Sequence, residues 1–275
     1  MKDVTIVVTT FERPEFILEC VNTIREFYPD IEIIVSDNGK QRPILQEQLV
    51  RQYKCRYIDL PFDCGASRAR NEGFKAANTK YAVLCEDDFR FTKTTNLEKF
   101  KAILEADSSL GIIGGVCLKN DKPGIIGSNF IFNKEQQIFY RDPVRKPRWK
   151  QVGEIKYYYC DYIRMFFMAR NISEIYFFDE DFKAGGNHTS GLIEMKERGK
   201  WKIGYVPEVD VIHDHSRPNQ EYLKYRYRRR GDWYLFYEKT GFRYGVFDRK
   251  RVRDYMMKTT MTYVEFKKKI KRGEL

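Results

Sequence analysis

Three consecutive carboxylates, Glu86-Asp87-Asp88, follow the largely apolar run Tyr81-Ala82-Val83-Leu84-Cys85. Adjacent acids repel one another unless a cation or water relieves them. At the end of a buried strand they can converge on a hard divalent ion, Mg²⁺ or Mn²⁺, which takes oxygen ligands and leaves positions open for phosphate oxygens. Such an ion acts as a Lewis acid toward a departing diphosphate. Elsewhere the same triplet would be a solvated acidic turn, so the strand before it and the neighbouring polar stretches decide its reading. Two more apolar runs end in the same way, one at Thr9-Thr10-Phe11-Glu12-Arg13 and one at Asp37-Asn38-Gly39.

Positioning those three stretches together requires a particular order of elements. The β-branched run 5–9 reads as a buried strand. Residues 15–27 place Phe16, Ile17, Cys20, Val21, Ile24 and Phe27 at helical spacing. A second strand over 32–36, a helix over 43–53, a short strand over 56–58, a helix over 67–78 and a fourth strand over 81–85 follow. Alternation of this kind predicts an α/β fold, a mostly parallel sheet with helices on both faces. In such sheets ligands gather at the carboxyl ends of the strands, where the three polar stretches lie.

From Ile112 the pattern shifts to shorter β-like runs, at 112–117, 124–132, 137–140, 157–162, 166–168 and 202–207. A proline-rich and basic loop spans 142–152, and a helix over 192–198 is stopped by Gly199. No internal repeat or low-complexity segment is present.

The ordered motifs resemble the nucleotide-sugar-binding half of the GT-A glycosyltransferases, and most closely their broad inverting family. The resemblance is carried by Thr9-Thr10-Phe11-Glu12-Arg13-Pro14-Glu15, Ile34-Val35-Ser36-Asp37-Asn38-Gly39, residues 64–73 and residues 81–89. Residues 69–71, 86–92 and 113–116 are similar in particular to the β1,4-N-acetylgalactosaminyltransferases. So are Asp161-Tyr162, residues 166–170, Gly186-Asn187-His188-Thr189 and residues 209–213. The resemblance covers about 3–215. It implies a GT-A domain over 1–216, with a nucleotide-sugar half at 1–115 and an acceptor half at 116–216, followed by a basic, helical C-terminal appendage at 217–275.

Carried over by position, the resemblance implies that Thr9, Thr10, Glu12 and Arg13 line a nucleotide pocket and that Asp37 accepts the uracil imide hydrogen. Arg70 would meet the diphosphate or the sugar, with Asp87 beside the donor. Glu86 and Asp88 occupy the outer positions of a D-x-D metal motif, Glu86 replacing the more usual aspartate, and His213 stands where many relatives place a histidine near the metal. The implied cofactor is Mn²⁺ or Mg²⁺. Inverting transfer needs a base within reach of the acceptor hydroxyl, and relatives carry an acid where this chain reads Gly185-Gly186-Asn187-His188-Thr189-Ser190. Three answers stay open: His188 serves as base, a nearby acid (Asp161, Glu180 or Asp181) does, or the reaction is retaining or uses an unusual donor. The implied partners are a nucleotide-sugar donor, best matched by a UDP-hexose or UDP-N-acetylhexosamine, and a glycan or glycolipid acceptor.

The charge is unevenly placed. Residues 217–275 hold 18 basic and 7 acidic residues, which accounts for the whole net charge of +11. Lys224-Tyr225-Arg226-Tyr227-Arg228-Arg229-Arg230 mixes basic and aromatic residues in a way that suits an anionic membrane surface. It also fits an acceptor's phosphates or a packed subdomain. A nucleic-acid partner is disfavoured, because the acidic strand ends would repel it. No run approaches the ~20 apolar residues of a membrane span, and the N-terminus carries no secretory signal. The expected location is therefore cytoplasmic, with peripheral attachment to the inner membrane face. Six scattered cysteines, none in a C-x-x-C pair, read as reduced thiols. Two other readings remain: a non-catalytic nucleotide-sugar-binding protein of this fold, and a nucleotidyltransferase, for which the first loop lacks the phosphate-cradling glycines.

Overall fold

The computed structural model describes residues 1–120, 122–124, 126–133, 137–172, 175, 178–214, 220–226 and 229–246. The first half alternates as its sequence predicts: β1 (Val4–Thr10), α1 (Pro14–Phe27), β2 (Glu32–Asp37), α2 (Pro43–Glu47), β3 (Arg56–Asp59), α3 (Ala66–Ala76) and β4 (Tyr81–Glu86). Proline at the first position of α1 and of α2 is pre-set for helix and gives up no hydrogen bond there. The helix expected over 43–53 is split, because α2 passes into a π-helical turn at Gln48–Gln52.

A two-residue strand β5 (Phe89–Arg90) follows the acids, and α4 (Leu97–Ala106) follows β5. Sequence reasoning assigned nothing to α4. Its signals are Asn96, whose side chain accepts from Lys99 N at 3.1 Å, and the buried spacing Leu97, Phe100, Ile103, Leu104.

The second half contributes β6 (Leu110–Lys119), β7 (Lys122–Pro123), β8 (Ser128–Asn133), β9 (Ile138–Pro143), β10 (Lys150–Val152), β11 (Ile155–Cys160) and β12 (Phe167–Arg170). It continues with α5 (Asn187–Arg198), β13 (Lys202–His213), α6 (Gln220–Arg226), α7 (Arg229–Thr240) and β14 (Arg243–Val246). The expected loop over 142–152 is shorter than predicted, since Lys150–Val152 pairs with β11. Helix α5 starts five residues before the position read from periodicity, directly after Gly186 at φ +79°, a conformation that favours glycine.

One large sheet runs β10-β11-β13-β6-β12-β4-β1-β2-β3, and β14-β9-β8 form a second. Pairings β1–β2, β1–β4, β2–β3 and β6–β13 are parallel, whereas β12 lies antiparallel between β4 and β6. Central strands buried on both faces explain the unbroken apolar runs Ile6–Val8 and Ala82–Cys85. Helix α3 packs closely on β1: a Cβ at Gly73 would stand 2.3 Å from Val7 Cγ1.

Two large apolar cores flank the sheet, with a small third cluster of Val7, Ile34, Ala77 and Ala82. One gathers α1, α4 and the β1–β4 side chains, and the other gathers α5, β8, β9 and β11. The second core also takes Phe236 from α7 and Phe242, so the described part of 217–275 packs into the body as far as β14. Residues 247–275 and His215 lie outside the described residues. None of the described helices is long and apolar enough to cross a membrane, and all six cysteines are free thiols.

Candidate functional site

Parallel register brings the polar strand ends together. Thr10 pairs with Asp37, and Thr9 pairs with Glu86. The last residues of β13 pair with β5, His213 opposite Phe89, which carries an imidazole 125 positions away in sequence to the acids. His213 Nε2 lies 3.4 Å from Asp88 Oδ1, and Asp214 N donates to Asp88 O at 2.8 Å.

Two arginines divide the negative charge. Arg13 Nη1 donates to Asp88 Oδ2 at 2.8 Å, while Nε (3.2 Å) and Nη2 both reach Asp87. Thr10 Oγ1 also donates to Asp87 Oδ2, at 2.7 Å. Arg70 Nη2 donates to Glu86 Oε1 at 2.9 Å. Burial raises the pKa of Asp87, with Arg13 opposing the rise. Burial pushes Asp88 upward as well, but the His213 and Arg13 contacts outweigh it and hold that carboxyl below the usual range.

This donor set fits a hard divalent cation. Glu86, Asp88 and His213 can each present one ligand atom, all within 4.8 Å of one another. Two carboxylate oxygens and an imidazole nitrogen suit Mn²⁺ and can serve Mg²⁺. Asp88 Oδ1 is buried without a hydrogen bond, and so is Arg70 Nε. Buried polar atoms left unsatisfied are uncommon and call for a partner such as an ion or ligand.

A pocket opens in front of the cluster. Arg13, Arg70, Glu86, Asp88 and His213 line it, together with Phe11, Asn38 and Asp63, the Gly65–Ala66 start of α3, Lys183–Ala184, and Tyr222 and Tyr225 of α6. The Tyr225 ring stands 5.1 Å from Phe11 and 5.7 Å from Phe62, and the Tyr222 ring lies 4.4 Å from Arg13 Cζ. A guanidinium held between carboxylates and an aromatic face is fixed on both sides. Cations and aromatics around an acid cluster can hold an anionic, flat-ringed ligand such as a nucleotide.

Other expected residues stand behind the pocket lining or apart from it. Thr9, Thr10, Glu12, Asp37 and Asp87 do not line the pocket. Glu12, at φ +56°, receives Lys40 N at 2.6 Å and pairs with Arg42, pinning the turn after β2. Asp37 accepts from Gly39 N (2.7 Å) and Tyr57 Oη (2.8 Å), and burial raises its pKa. His188 is a core residue: one ring nitrogen, Nε2, faces Ile163 O at 2.7 Å, and the ring stacks on Phe167 and meets Tyr162 edge-on. Burial lowers its pKa to about 3, so it is neutral. Asp161 accepts from Phe130 N at 3.0 Å and from Lys196. Glu180 accepts from Asn71, and Asp181 pairs at the surface with Lys239. Sequence reasoning assigned no site role to Phe11, Asp63, Lys183, Tyr222 or Tyr225; the two tyrosines were legible as an i, i+3 aromatic pair leading into the basic run.

Comparison with known proteins agrees with this geometry. The model of the family described as "Glycosyl transferase family 2" matches residues 5–169, more than half of the chain. The mouse protein β-1,4 N-acetylgalactosaminyltransferase 2 is 34% identical over 112 residues, covering 41% of this chain and 21% of that protein. The chain thus matches about a fifth of the length of that curated relative. Among solved structures, GalNAc-T7 with UDP, GalNAc and Mn²⁺ superposes with a TM-score of 0.59 at 15% identity, over 86% of this chain and 50% of the other. The mannosyltransferase PcManGT from Pyrobaculum calidifontis, with GDP-Man and Mn²⁺, gives 0.55 at 16% identity, over 86% and 63%. The shared fold is GT-A.

Proposed function

Because this chain belongs to glycosyl transferase family 2, we propose that it transfers a hexose or N-acetylhexosamine from a UDP-sugar to a glycan or lipid-linked acceptor, with Mn²⁺ or Mg²⁺ and with inversion. The observation that carries this reading is the convergence of Glu86, Asp88 and His213, with Asp88 Oδ1 buried without a hydrogen bond and His213 Nε2 3.4 Å from it, at a pocket lined by Arg13, Arg70 and Lys183. Glu86, Asp88 and His213 would hold the cation, and when bound it supplies Lewis-acid neutralisation of the leaving diphosphate. Arg70, whose Nε has no hydrogen bond, would orient the donor's diphosphate. Phe11 and Tyr225 would flank the base, and the pocket walls would exclude water from the reacting bond. The sugar named in the mouse relative favours an N-acetylhexosamine donor.

A panel of nucleotide sugars, scored for UDP release with Mn²⁺, Mg²⁺ or chelator, tests the proposal. Metal-stimulated release from at least one UDP-sugar is expected, and no release from any of them would remove it. A second reading has its own support: His188, Asp161, Glu180 and Asp181 are all engaged away from the pocket, so a nucleotide-sugar binder without transfer would look the same at the donor end. UDP binding by calorimetry with no turnover against any acceptor would select that reading. Attachment to an anionic membrane through the basic C-terminal segment, on the cytoplasmic side, belongs to the same proposal. Its support is the concentration of charge after residue 216.

A further inference from the structure

Part of the pocket wall is irregular chain. The segment 178–186, between β12 and α5, presents Lys183 and Ala184 to the pocket. One flank is stitched to α3: Ala66 N donates to Lys183 O at 2.8 Å, Ser67 Oγ to Phe182 O at 2.6 Å and Asn71 Nδ2 to Phe178 O at 2.8 Å. Irregular backbone that close to a buried core must find partners for its amides. At Ala184 and Gly185 the partner is a single side chain from α7. Asp232, 7% exposed, takes Ala184 N (2.6 Å) and Gly185 N (2.5 Å) on one carboxylate oxygen.

The same helix face reinforces the clamp. Phe236, four residues on, is fully buried with its ring 6.5 Å from Phe182, and Lys239 donates to Asp179 at 2.6 Å. Two backbone donors on one sheltered carboxylate form charge-assisted bonds, stronger than neutral ones. The wall segment is therefore gripped by α3 on one side and by α7 on the other. Asp232 itself does not line the pocket.

We propose that Asp232 is a positioning residue for the donor site, holding the Lys183–Gly185 backbone so that Lys183 faces the ligand of Arg70 and Asp88. The inference rests on the donor reading above and deepens it: a residue of the basic C-terminal segment sets the shape of the nucleotide pocket.

The test uses the full chain, with UDP and Mn²⁺ as the probe. Asp232→Ala is expected to weaken UDP binding by at least tenfold in calorimetry and to speed hydrogen exchange at the Ala184 and Gly185 amides by at least tenfold. Asp232→Asn keeps an acceptor oxygen and is expected to bind within threefold of wild type, a rescue that a requirement for charge alone would not give. A second measurement needs no variant: UDP should slow exchange at Ala184 and Gly185 in the wild-type chain. Folded Asp232→Ala binding UDP within threefold of wild type, or UDP bound with exchange at those amides unchanged, overturns the inference and leaves the donor reading standing. A wild-type chain that binds no UDP sinks the donor reading, and this inference with it.

Discussion

Two buried polar clusters occupy the region where the pocket and the core meet, and they are built to opposite ends. Just beyond β4, Asp88 Oδ1 is buried without a hydrogen bond, as is Nε of the neighbouring Arg70 on α3. At the start of α5, Asn187 donates to Ser67 at 3.0 Å, and His188 is engaged with Ile163 O and sandwiched among aromatic rings. Both clusters look chemically active as strings of residues. The first leaves capacity facing a cavity, while the second spends it on the protein. A buried polar group without a hydrogen bond costs roughly 1–3 kcal/mol, and Asp88 and Arg70 both line the pocket, where a ligand could offset that cost.

The sharpest way to break that contrast is at Asp88. Asp88→Ala is expected to lower metal-dependent UDP release by roughly a thousandfold, about 4 kcal/mol of transition-state stabilisation; turnover near wild type would strip the β4 cluster of its role. The second cluster is read through pH. His188 is held neutral in the fold, with its pKa lowered by burial to about 3, against about 6.5 when unfolded. Above pH 6.5 neither state is protonated and the fold loses nothing. As pH falls below that value the unfolded chain takes up the proton first, so stability drops, by about 3 kcal/mol at pH 4.5. Chemical denaturation from pH 7 to 4.5 should show this loss, and His188→Gln should flatten it; an unchanged slope would mean the ring is not sealed as described.

A smaller effect separates charge from metal. Arg70→Ala should raise the donor KM about tenfold, near 1.4 kcal/mol, with a weaker effect on kcat; a loss confined to kcat would move Arg70 from binding to the chemical step. The smallest effect lies at the rim, where Lys239 bridges Asp179 and Asp181 on the surface. Lys239→Ala should cost less than about 1 kcal/mol in urea unfolding. A larger loss would show that the wall segment leans on that pair more than on Asp232.

The first half of the fold was legible because parallel strands buried on both faces must be apolar throughout and can turn polar only where they end. That rule located Thr10, Asp37 and Glu86 at one edge. Periodicity also holds α4, whose Leu97, Phe100, Ile103 and Leu104 repeat as a helix should. Other features depend on contacts that no local pattern encodes. Asn187-His188-Thr189 resembles a catalytic loop, yet the chain turns at Gly186 and enters a helix. Tyr225 reads as one aromatic of a basic run and Tyr222 carries no signal of its own, yet their rings rest on Phe11 and Arg13. Asp232 is a lone acid among cations until α7 packs and its two amide partners come into view.

The long strand β13 has a further consequence. Tyr205 pairs with Gly114 and Asp210 with Val116, so Val206–Val209 bulge opposite the single residue Gly115, and the strand then runs on to His213. A division of the chain at 115/116 therefore falls inside β6, against the very bulge that sets how far His213 reaches. Chimeras that graft the second half of a relative onto this first half inherit a strand fitted to another β6. Recombination should exchange β6 and β13 together, or neither.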